Sequence, residues 1–383
     1  MSNIVYFMGA GFSSALGGPM QSEILPGILS FDEDNEYNTE NGERFSGERD
    51  IVLNFIENAF PNVYGEEQHN IPLEDLFSIL DRAILNKESF RRMSFYDLMR
   101  ARAALVHTII YLLDFRLKQL NNRDVDLWRL IEHVFPLVSD ENQHCFITTN
   151  WDIILDNSIF YRVTSYPIYD ERHRRQVYKL DYGFNSYYFR DRNQSLLHQK
   201  NSIKQTYLLK LHGSLNWLLC PNCSRLFHEI GQKIALREFI DPQPCPFCRD
   251  RNQNGHNGNL DHPYHLQSFI IMPTMLKELR NLYLQQVWYK AGIELTRADT
   301  VVFIGYSFPL ADFEIRYLLS HYIRQDCQIK IVLHEDDHPQ NVPAKYGHFT
   351  PEWRYKHFLG ERCLFEYGGL EGYVDSLRQY ENR

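Results

Sequence analysis

Near the start of the chain, an apolar run passes into a glycine loop: Ile4-Val5-Tyr6-Phe7-Met8-Gly9-Ala10-Gly11-Phe12-Ser13. The length of the run and its branched and aromatic side chains predict a buried β-strand. The glycines allow the main chain to turn sharply and to approach a ligand without Cβ atoms in the way. If a helix begins near Ser13, its free N–H groups and positive dipole end suit the pyrophosphate of a dinucleotide.

The same pattern also has a purely geometric interpretation, in which the glycines serve only a strand-to-helix turn. The usual third glycine of the dinucleotide-binding fingerprint is absent, because Ser14 stands in its place. The loop alone leaves both interpretations open, and the rest of the chain has to separate them.

The composition indicates a globular protein of two or three modules. The chain has 383 residues, of which 44% are hydrophobic and 14% aromatic, with a net charge of -9. We expect no overall attraction to nucleic acid at this charge. The most apolar helical stretch, 103–117, carries His107, Asp114 and Arg116 and is too short to span a bilayer. No secretory signal precedes Ile4, so we expect a soluble, cytoplasmic protein without membrane contact.

A helical insertion is predicted over residues 31–139. Its first part, 31–50, is acidic and polar and is predicted to be an exposed loop. Three apolar stripes at helical spacing then predict core-facing helices. They consist of Leu73, Leu76, Phe77, Leu80 and Ile84; of Leu105, Ile109, Leu112 and Leu113; and of Leu127, Leu130, Ile131 and Val134.

Further strands are predicted at 145–149, 207–211, 269–272, 300–304 and 328–333, with helical runs at 276–296 and 313–323 between them. Alternating strands and helices predict an α/β fold with a Rossmann-like, doubly wound, mostly parallel sheet. We expect this domain to comprise 1–30, 140–215 and 265–340, with a zinc-ribbon module at 216–264 and a C-terminal segment at 341–383.

The segment 166–192 is rich in tyrosine and contains four basic residues in a row, Arg172 to Arg175 with His173. Aromatic and arginine side chains can stack on bases. Because no nucleic-acid-binding motif surrounds them, we interpret the segment as a solvated connection and expect no direct nucleic-acid binding. An Asn- and Gly-rich loop is predicted at 252–259.

Polar clusters follow three of the predicted strands. They are Thr149-Asn150-Trp151-Asp152, His212-Gly213-Ser214, and Gly305-Tyr306-Ser307 followed by Asp312. In open α/β sheets the ligand lies at the carboxyl ends of the strands, so these clusters and the glycine loop should meet at one edge. A single Asn could be a turn residue and a single His a structural residue, but four converging segments indicate a site.

Four of the seven cysteines form two C-x2-C pairs separated by twenty-one residues: Cys220, Cys223, Cys245 and Cys248. Two such pairs can close a tetrahedral thiolate site for structural Zn²⁺. The alternative is a set of unpaired buried thiols. His228, His262 and His265 are spare ligands that this site does not require, and Cys145, Cys327 and Cys363 are interpreted as small apolar residues.

Together these motifs resemble the sirtuin superfamily, and most of all the divergent sirtuin-like domains of bacterial antiphage defence systems. The matching pieces occur in the family order over residues 4 to about 335: Gly9-Ala10-Gly11-Phe12-Ser13, Thr148-Thr149-Asn150-Trp151-Asp152, Leu211-His212-Gly213, the two cysteine pairs and Gly305-Tyr306-Ser307. The resemblance implies a Rossmann-type NAD domain, a smaller zinc-ribbon and helical module, and an active site in the cleft between them.

The sequence departs from the protein deacylases of that family at three places. Thr149 stands where they carry Gln, the segment 18–21 lacks their Phe-Arg pair, and 270–274 replaces their Phe-Gly-Glu segment. The parts for NAD are present while the acyl-peptide groove differs. The resemblance therefore implies hydrolysis of NAD⁺ as a substrate, by an NADase that depletes NAD in infected cells.

For this reaction we assign Asn150 to the ribose and the attacking water, His212 as the general base, and Asp152 to the nicotinamide or ribose side. The remaining contacts with NAD⁺ are assigned to the phosphate-binding and ribose-binding segments: Gly9, Ala10, Gly11, Phe12, Ser13, Thr149, Gly305, Ser307 and Glu335. Glu335 would accept from the adenosine ribose, although an exposed acidic loop explains it equally well.

Two alternatives stay open at this stage. One is a protein deacylase or ADP-ribosyltransferase, and the other is a non-catalytic zinc-ribbon adaptor that binds NAD. The family resemblance further implies a partner that switches the enzyme, such as a HerA-type ATPase or a short Argonaute, and assembly into a homo-oligomer. The helical insertion and the segment 166–192 are the expected contact surfaces.

Overall fold

The computed structural model describes most of the chain. It covers 2–31, 39–118, 125–136, 142–166, 168–169, 175–189, 203–230, 233–248, 265–276, 279–309, 312–337 and 350–381. The predicted loop 252–259 and the basic residues 172–174 lie outside this part of the chain.

The main sheet has eight strands in the order β12-β11-β10-β1-β2-β6-β4-β3. Seven run parallel, and only β3 pairs antiparallel, with β4. The strands are β1 (Asn3–Met8), β2 (Gln143–Thr148), β3 (Ile168–Tyr169), β4 (Arg175–Asp181), β6 (Ile203–Lys210), β10 (Thr300–Ile304), β11 (Gln328–Val332) and β12 (Cys363–Glu366). The predicted Rossmann-like α/β class is confirmed.

The apolar run at the start of the chain lies in the middle of this sheet. β1 pairs with β2 on one side and with β10 on the other. Val5, Tyr6, Phe7 and Met8 are at most 2% exposed, as a strand covered on both faces requires. Because the chain builds β2 and β6 on one side of β1 and β10 to β12 on the other, the strand order reverses beside β1. The glycine loop therefore lies at the switch point where such sheets bind ligands.

Twelve helices accompany the strands in the part of the chain that the structure describes. They are α1 (Ala10–Ala15), α2 (Gln21–Leu29), α3 (Thr39–Ala59), α4 (Leu73–Asn86), α5 (Phe95–Lys118), α6 (Val125–Val134), α7 (Ile154–Ser165), α8 (Arg237–Ile240), α9 (Leu282–Arg297), α10 (Phe313–Tyr322), α11 (Pro351–Leu359) and α12 (Gly369–Glu381). Two 3₁₀ turns occupy Gly65–Asn70 and Glu335–Asp337.

The three apolar stripes of the insertion form helix faces as predicted. Leu76, Phe77 and Leu80 on α4, Ile109 on α5 and Leu130 on α6 are all fully buried. The prediction of an exposed loop over 31–50 is wrong for its second half, which forms the start of α3. The polar stretch is held as a helix because Phe45 packs against Phe31 and Tyr111, with ring centroids 4.8 and 4.9 Å away.

A smaller four-stranded sheet has the order β5-β8-β7-β9. Its strands are β5 (Tyr187–Tyr188), β7 (Gly213–Leu219), β8 (Leu226–His228) and β9 (Gln267–Ile270). The strand predicted at 269–272 exists, but it belongs to this sheet and not to the parallel one. β9 follows the cysteine-containing segment in the chain and pairs antiparallel with β7, the strand that precedes that segment.

Two further differences concern secondary structure. The segment interpreted as a solvated connection contributes β3, β4 and β5. The helix predicted from 276 begins only at Leu282, where the side chain of Asn281 accepts a hydrogen bond from the Tyr283 amide at 2.9 Å. No helix within the described ranges is long and apolar enough to cross a membrane.

His228 lies in the core of the smaller sheet and is fully buried. Its Nδ1 is 2.9 Å from the hydroxyl of Ser186. Burial disfavours the charged imidazolium and lowers the pKa of His228 to about 4, although a hydrogen bond from the ring to the main chain of Tyr187 acts in the opposite direction. The folded protein therefore holds this ring neutral at neutral pH.

We predict that His228 makes the protein less stable in mild acid. The unfolded chain binds a proton near pH 6.5 and the folded chain only near pH 4, so stability is lost as pH falls between these values. The loss from pH 7 to pH 5 should be roughly 2 kcal/mol. Urea unfolding of wild type and His228→Asn at both pH values measures it, and the variant should lose less. Equal losses in the two proteins would contradict the prediction.

Candidate active site

Two main-chain loops pack directly on each other at the carboxyl end of the sheet. The amide of Gly9 donates to Ile304 O at 3.1 Å, and the amide of Gly11 donates to Gly305 O at 2.8 Å. A Cβ on Gly9 would lie 2.6 Å from Tyr306 Cα, and one on Gly305 would lie 2.0 Å from Phe12 N. Gly305 also has φ +63°, which favours glycine. These glycines are therefore required for the two loops to meet.

Asn150 joins this pair of loops from the neighbouring strand, β2. Its Nδ2 donates to Gly9 O and to Ser13 Oγ, each at 2.8 Å. Because Gly9 O can only accept, the amide must present its NH₂ group on this side. Both donors are then used within the protein. The side-chain Oδ1 receives no hydrogen bond from a described residue and is left as the group that can accept one from a ligand.

Asp152 completes the same hydrogen-bond chain. Its Oδ2 accepts from Ser13 Oγ at 2.6 Å, and its Oδ1 accepts from the Ile154 amide at 3.0 Å. The second bond lies at the first residue of α7, where helices favour an acceptor. The carboxylate therefore fixes the loop geometry, while its contact with the nicotinamide or ribose side stays a prediction. The hydroxyl of Ser13 gives its only proton to Asp152 in this arrangement and has none for a phosphate.

His212 lies in the tight turn between β6 and β7 and is 9% exposed. The following Gly213 has φ +77°, and a Cβ there would lie 2.1 Å from Phe269 O. The His212 carbonyl accepts from the Ile271 amide at 2.8 Å, and Trp288 Nε1 donates to Leu211 O at 3.0 Å. The turn that carries His212 is therefore fixed on both sides by main-chain hydrogen bonds.

These residues border one cleft of about 860 Å³, a space that includes its open mouth. One wall comes from helices between β1 and β2, with Ile24 on α2 and Leu113 and Leu117 on α5. The predicted residues on the cleft are Ala10, Ser13, Thr149, Asn150, Asp152 and His212. The sequence thus predicted these six residues of the cleft.

A second space of about 1240 Å³, again including its mouth, adjoins the first over the glycine loops. Gly11, Gly305 and Ser307 border it, and Ala10 and Thr149 border both spaces. The described residues around the two spaces include no lysine or arginine, so an anionic group there would be bound by other donors, such as the hydroxyl groups of Thr149 and Ser307. The Gly11 amide is already donated to Gly305 O and the Phe12 amide to Gly9 O.

Three predicted residues border neither space: Gly9, Phe12 and Glu335. Gly9 is packed against Tyr306, and its carbonyl accepts from Asn150. The side chain of Phe12 is 2% exposed and packs in the hydrophobic core, so it can contribute only its main chain. Glu335 lies in the 3₁₀ turn after β11, is exposed, and borders neither of the two spaces. Its proposed contact with a ribose stays a prediction.

Sequence reasoning missed the acidic group of Glu74, whereas Asp312 belongs to the polar cluster predicted after the strand at 300–304. Glu74, at the start of α4, borders both spaces and accepts from Gln21 Nε2 at 2.6 Å. Asp312 borders both spaces as well, and its Oδ2 accepts from the Tyr306 hydroxyl at 3.0 Å. An acidic residue in the first turn of a helix is common for dipole reasons, so nothing in the sequence separated Glu74 from that pattern.

The four predicted metal ligands come together in the smaller sheet. The sulfur atoms of Cys220, Cys223, Cys245 and Cys248 all lie within 4.8 Å of one another. Two of the Sγ–Sγ distances are 3.8 and 3.6 Å. A tetrahedral zinc with Zn–S bonds of ~2.3 Å requires sulfurs ~3.8 Å apart, so the cluster fits structural Zn²⁺. The spare ligand His228 is not part of this cluster.

The surroundings of the cluster act differently on its thiols: burial raises the pKa of Cys220 and of Cys245, whereas the pKa of Cys223 is lowered. The Cys223 amide donates to Cys220 Sγ at 3.4 Å, and Asn222 Nδ2 donates to Cys248 Sγ at 3.3 Å. Burial raises the pKa of the Cys223 thiol, but hydrogen bonds from the main chain and side chain of Arg225 outweigh it and lower the pKa to about 7. Hydrogen bonds to the sulfurs of this kind are typical of the outer shell of a metal site.

No protein-family model and no curated protein sequence matches this chain. Among solved structures it is similar to a Sir2 homologue in complex with NAD, with 12% identity, 99% of this chain and 89% of that chain covered, and a TM-score of 0.40. It is also similar to Sir2Tm bound to a propionylated peptide, with 14% identity, 99% and 93% covered, and a TM-score of 0.40. A mutant Sir2 homologue in complex with 2'-O-acetyl ADP ribose gives 13% identity, 99% and 91% covered, and a TM-score of 0.42.

We predict that Gly305→Ala destabilises the protein by about 3 kcal/mol or more, because it combines backbone strain with a main-chain clash. Gly369→Ala is the matched control. Gly369 has φ +61°, close to the +63° of Gly305, but a Cβ there meets no atom within 4 Å. It should cost only about 1–2 kcal/mol. Denaturant unfolding of both variants measures the difference, and equal costs would show that the close contact of the loops contributes nothing.

We also predict that the purified protein contains one zinc ion per chain, measured by elemental analysis. Cys245→Ser should lose the metal and lower the melting temperature, because folding of this module is coupled to the ion. Cys327→Ala changes a buried thiol outside the cluster and should keep the metal. Wild-type protein purified without chelators and free of zinc would contradict the assignment.

Proposed function

We propose that this protein is an NAD⁺ hydrolase that cleaves the bond between nicotinamide and ribose. One observation carries the proposal. Asn150 and His212 border the same cleft at the switch point of the sheet, and the amide donors of Asn150 are held so that its Oδ1 is left for a ligand. A carbonyl oxygen beside a histidine is suited to orient and deprotonate a water or a ribose hydroxyl.

The reaction demands little proton transfer at its first step. In NAD⁺ the nicotinamide is already a cationic leaving group, so its departure needs no general acid. The ribose passes through an oxocarbenium-like state, as in glycoside hydrolysis. The carboxylates of Asp152, Glu74 and Asp312 border the cleft, which suits a substrate whose reacting end is positively charged.

The second step adds water to the anomeric carbon. In the proposal, Asn150 Oδ1 accepts a hydrogen bond from the attacking water or from a ribose hydroxyl and so orients it. His212 takes the proton as the general base. The apolar side chains of Ile24, Leu113 and Leu117 line the same cleft and would exclude other water molecules around the substrate.

NAD⁺ is an elongated ligand, and the two adjoining spaces offer room for its two halves. We infer that the nicotinamide ribose occupies the cleft with Asn150 and His212, and that the diphosphate and adenosine extend over Gly11, Gly305 and Ser307. We further propose, from the resemblance of the motifs, that the enzyme depletes NAD as an antiphage effector and that a separate protein, such as a HerA-type ATPase or a short Argonaute, activates it.

The test is release of nicotinamide and ADP-ribose from NAD⁺ by purified protein, alone and with the products of adjacent genes, followed by chromatography. Asn150→Ala and His212→Ala should each lower the rate at least about a hundredfold, as expected for residues that orient and deprotonate the attacking group. His321→Ala, a histidine on α10 stacked on Tyr317, is the control and should keep the wild-type rate.

Two results would overturn the proposal. Turnover that requires an acylated peptide would establish a deacylase. NAD⁺ binding without turnover in any combination, and with the same affinity in His212→Ala, would establish a non-catalytic NAD-binding protein.

A further inference from the structure

Lys210 is a charged residue at the buried end of β6. β6 ends in Tyr207-Leu208-Leu209-Lys210, and the Lys210 side chain is only 1% exposed. Its Nζ lies 3.0 Å from Asp156 Oδ2, and the Asp156 side chain is also 1% exposed. The same Nζ donates to the main-chain carbonyl of Asp152. Lysine is almost never buried to this degree unless it is paired.

The ion pair belongs to a larger buried network in which the hydrogens and acceptors match. Asp156 Oδ1 accepts from the Tyr182 hydroxyl at 2.7 Å, and that hydroxyl accepts from Asn216 Nδ2 at 3.0 Å. Asn216 Oδ1 in turn accepts from Ser214 Oγ at 2.6 Å. Tyr182, Asn216 and Ser214 are at most 1% exposed. The network thus joins β6, α7 and β7 beneath the cleft.

This network connects the two segments that carry the proposed reacting groups. Lys210 stands two residues before His212, and its ammonium holds the carbonyl of Asp152, two residues after Asn150. The main chain between them is linked as well, because the Leu211 amide donates to Thr148 O at 2.9 Å. Lys210 is therefore the buried charged side chain that links the Asn150 segment to the His212 turn, beside the weaker contact of Ser214 Oγ with Trp151 O at 3.4 Å.

Stability alone does not explain a charged pair at this position. Desolvation makes a buried ion pair roughly as stable as, or less stable than, an apolar pair of the same volume. What apolar side chains cannot supply is a donor to the Asp152 carbonyl. We propose that Lys210, with Asp156 as its counter-ion, is a positioning residue that fixes Asn150 and His212 relative to each other. This inference rests on the proposed function.

The mechanism needs such a constraint. Asn150 Oδ1 and His212 must act on the same water or hydroxyl, and displacement of a reacting group by 1 Å can cost about 10²-fold in rate. Substrate binding depends less on this geometry, because the diphosphate and adenosine contact other segments in the proposal. Loss of the Lys210 contact should therefore lower kcat with little change in KM.

The experiment compares Lys210→Met/Asp156→Asn with wild type. The double change removes the ammonium and its counter-ion together, so no unpaired charge is buried, and an amide at position 156 can still accept from Tyr182. Lys290→Met is the control, since Lys290 is a partly buried lysine that pairs with Glu294 at 3.3 Å and lies outside the cleft. Each protein is measured for melting temperature, kcat and KM of nicotinamide release, and hydrogen–deuterium exchange of residues 149–153.

We expect the double variant to be folded, with KM within about threefold of wild type and kcat at least about tenfold lower. Exchange of 149–153 should be at least about tenfold faster than in Lys290→Met. A folded double variant with wild-type kcat would overturn the inference while leaving the proposed function intact. If wild type releases no nicotinamide under any condition, the proposed function fails, and exchange decides on Lys210: unchanged exchange in the double variant overturns its role.

Discussion

The contact between two main-chain loops is the constraint on which the rest of the site depends. The glycine loop after β1 and the loop after β10 approach so closely that a single Cβ on Gly305 would lie 2.0 Å from Phe12 N. Since the loops share hydrogen bonds, the strand order of the sheet, with β1 between β2 and β10, fixes where Gly9 O lies. Asn150 is oriented by that oxygen, so the fold itself sets the direction of the amide.

Most polar groups of the site form hydrogen bonds with each other. Ser13 accepts from Asn150 and donates to Asp152, and Asp152 also accepts from the start of α7. The outcome is a rigid arrangement in which few atoms are left for a substrate. These contacts separate two roles in the proposed mechanism. Ser13 and Asp152 fix the loops, whereas Asn150 Oδ1 and His212 are the groups proposed to act on the substrate.

The sequence allowed prediction of those parts that depend on local pattern. Apolar runs ending in polar clusters predicted the parallel strands and brought Asn150 and His212 to one edge, and the C-x2-C spacing predicted the cysteine cluster. Contacts between distant segments were not predictable. β9 lies in the smaller sheet because it pairs with β7. The polar stretch at the start of α3 is helical because Phe45 packs against Phe31 and Tyr111. Glu74 borders the cleft because of the way its helix packs. The burial of Lys210 was not predictable either, because it depends on Asp156 of α7, 54 residues earlier in the chain.

The pairing within the smaller sheet determines which changes of length the chain can accept near the site. The chain leaves the site at Gly213 and returns at Ile270, and these two residues are paired with each other. The four cysteines lie between these two residues in the chain, so the segment that contains them begins and ends beside His212. Because Gly213 and Ile270 are paired beside His212, we expect insertions or deletions in the outer part of this segment to leave the His212 turn in place.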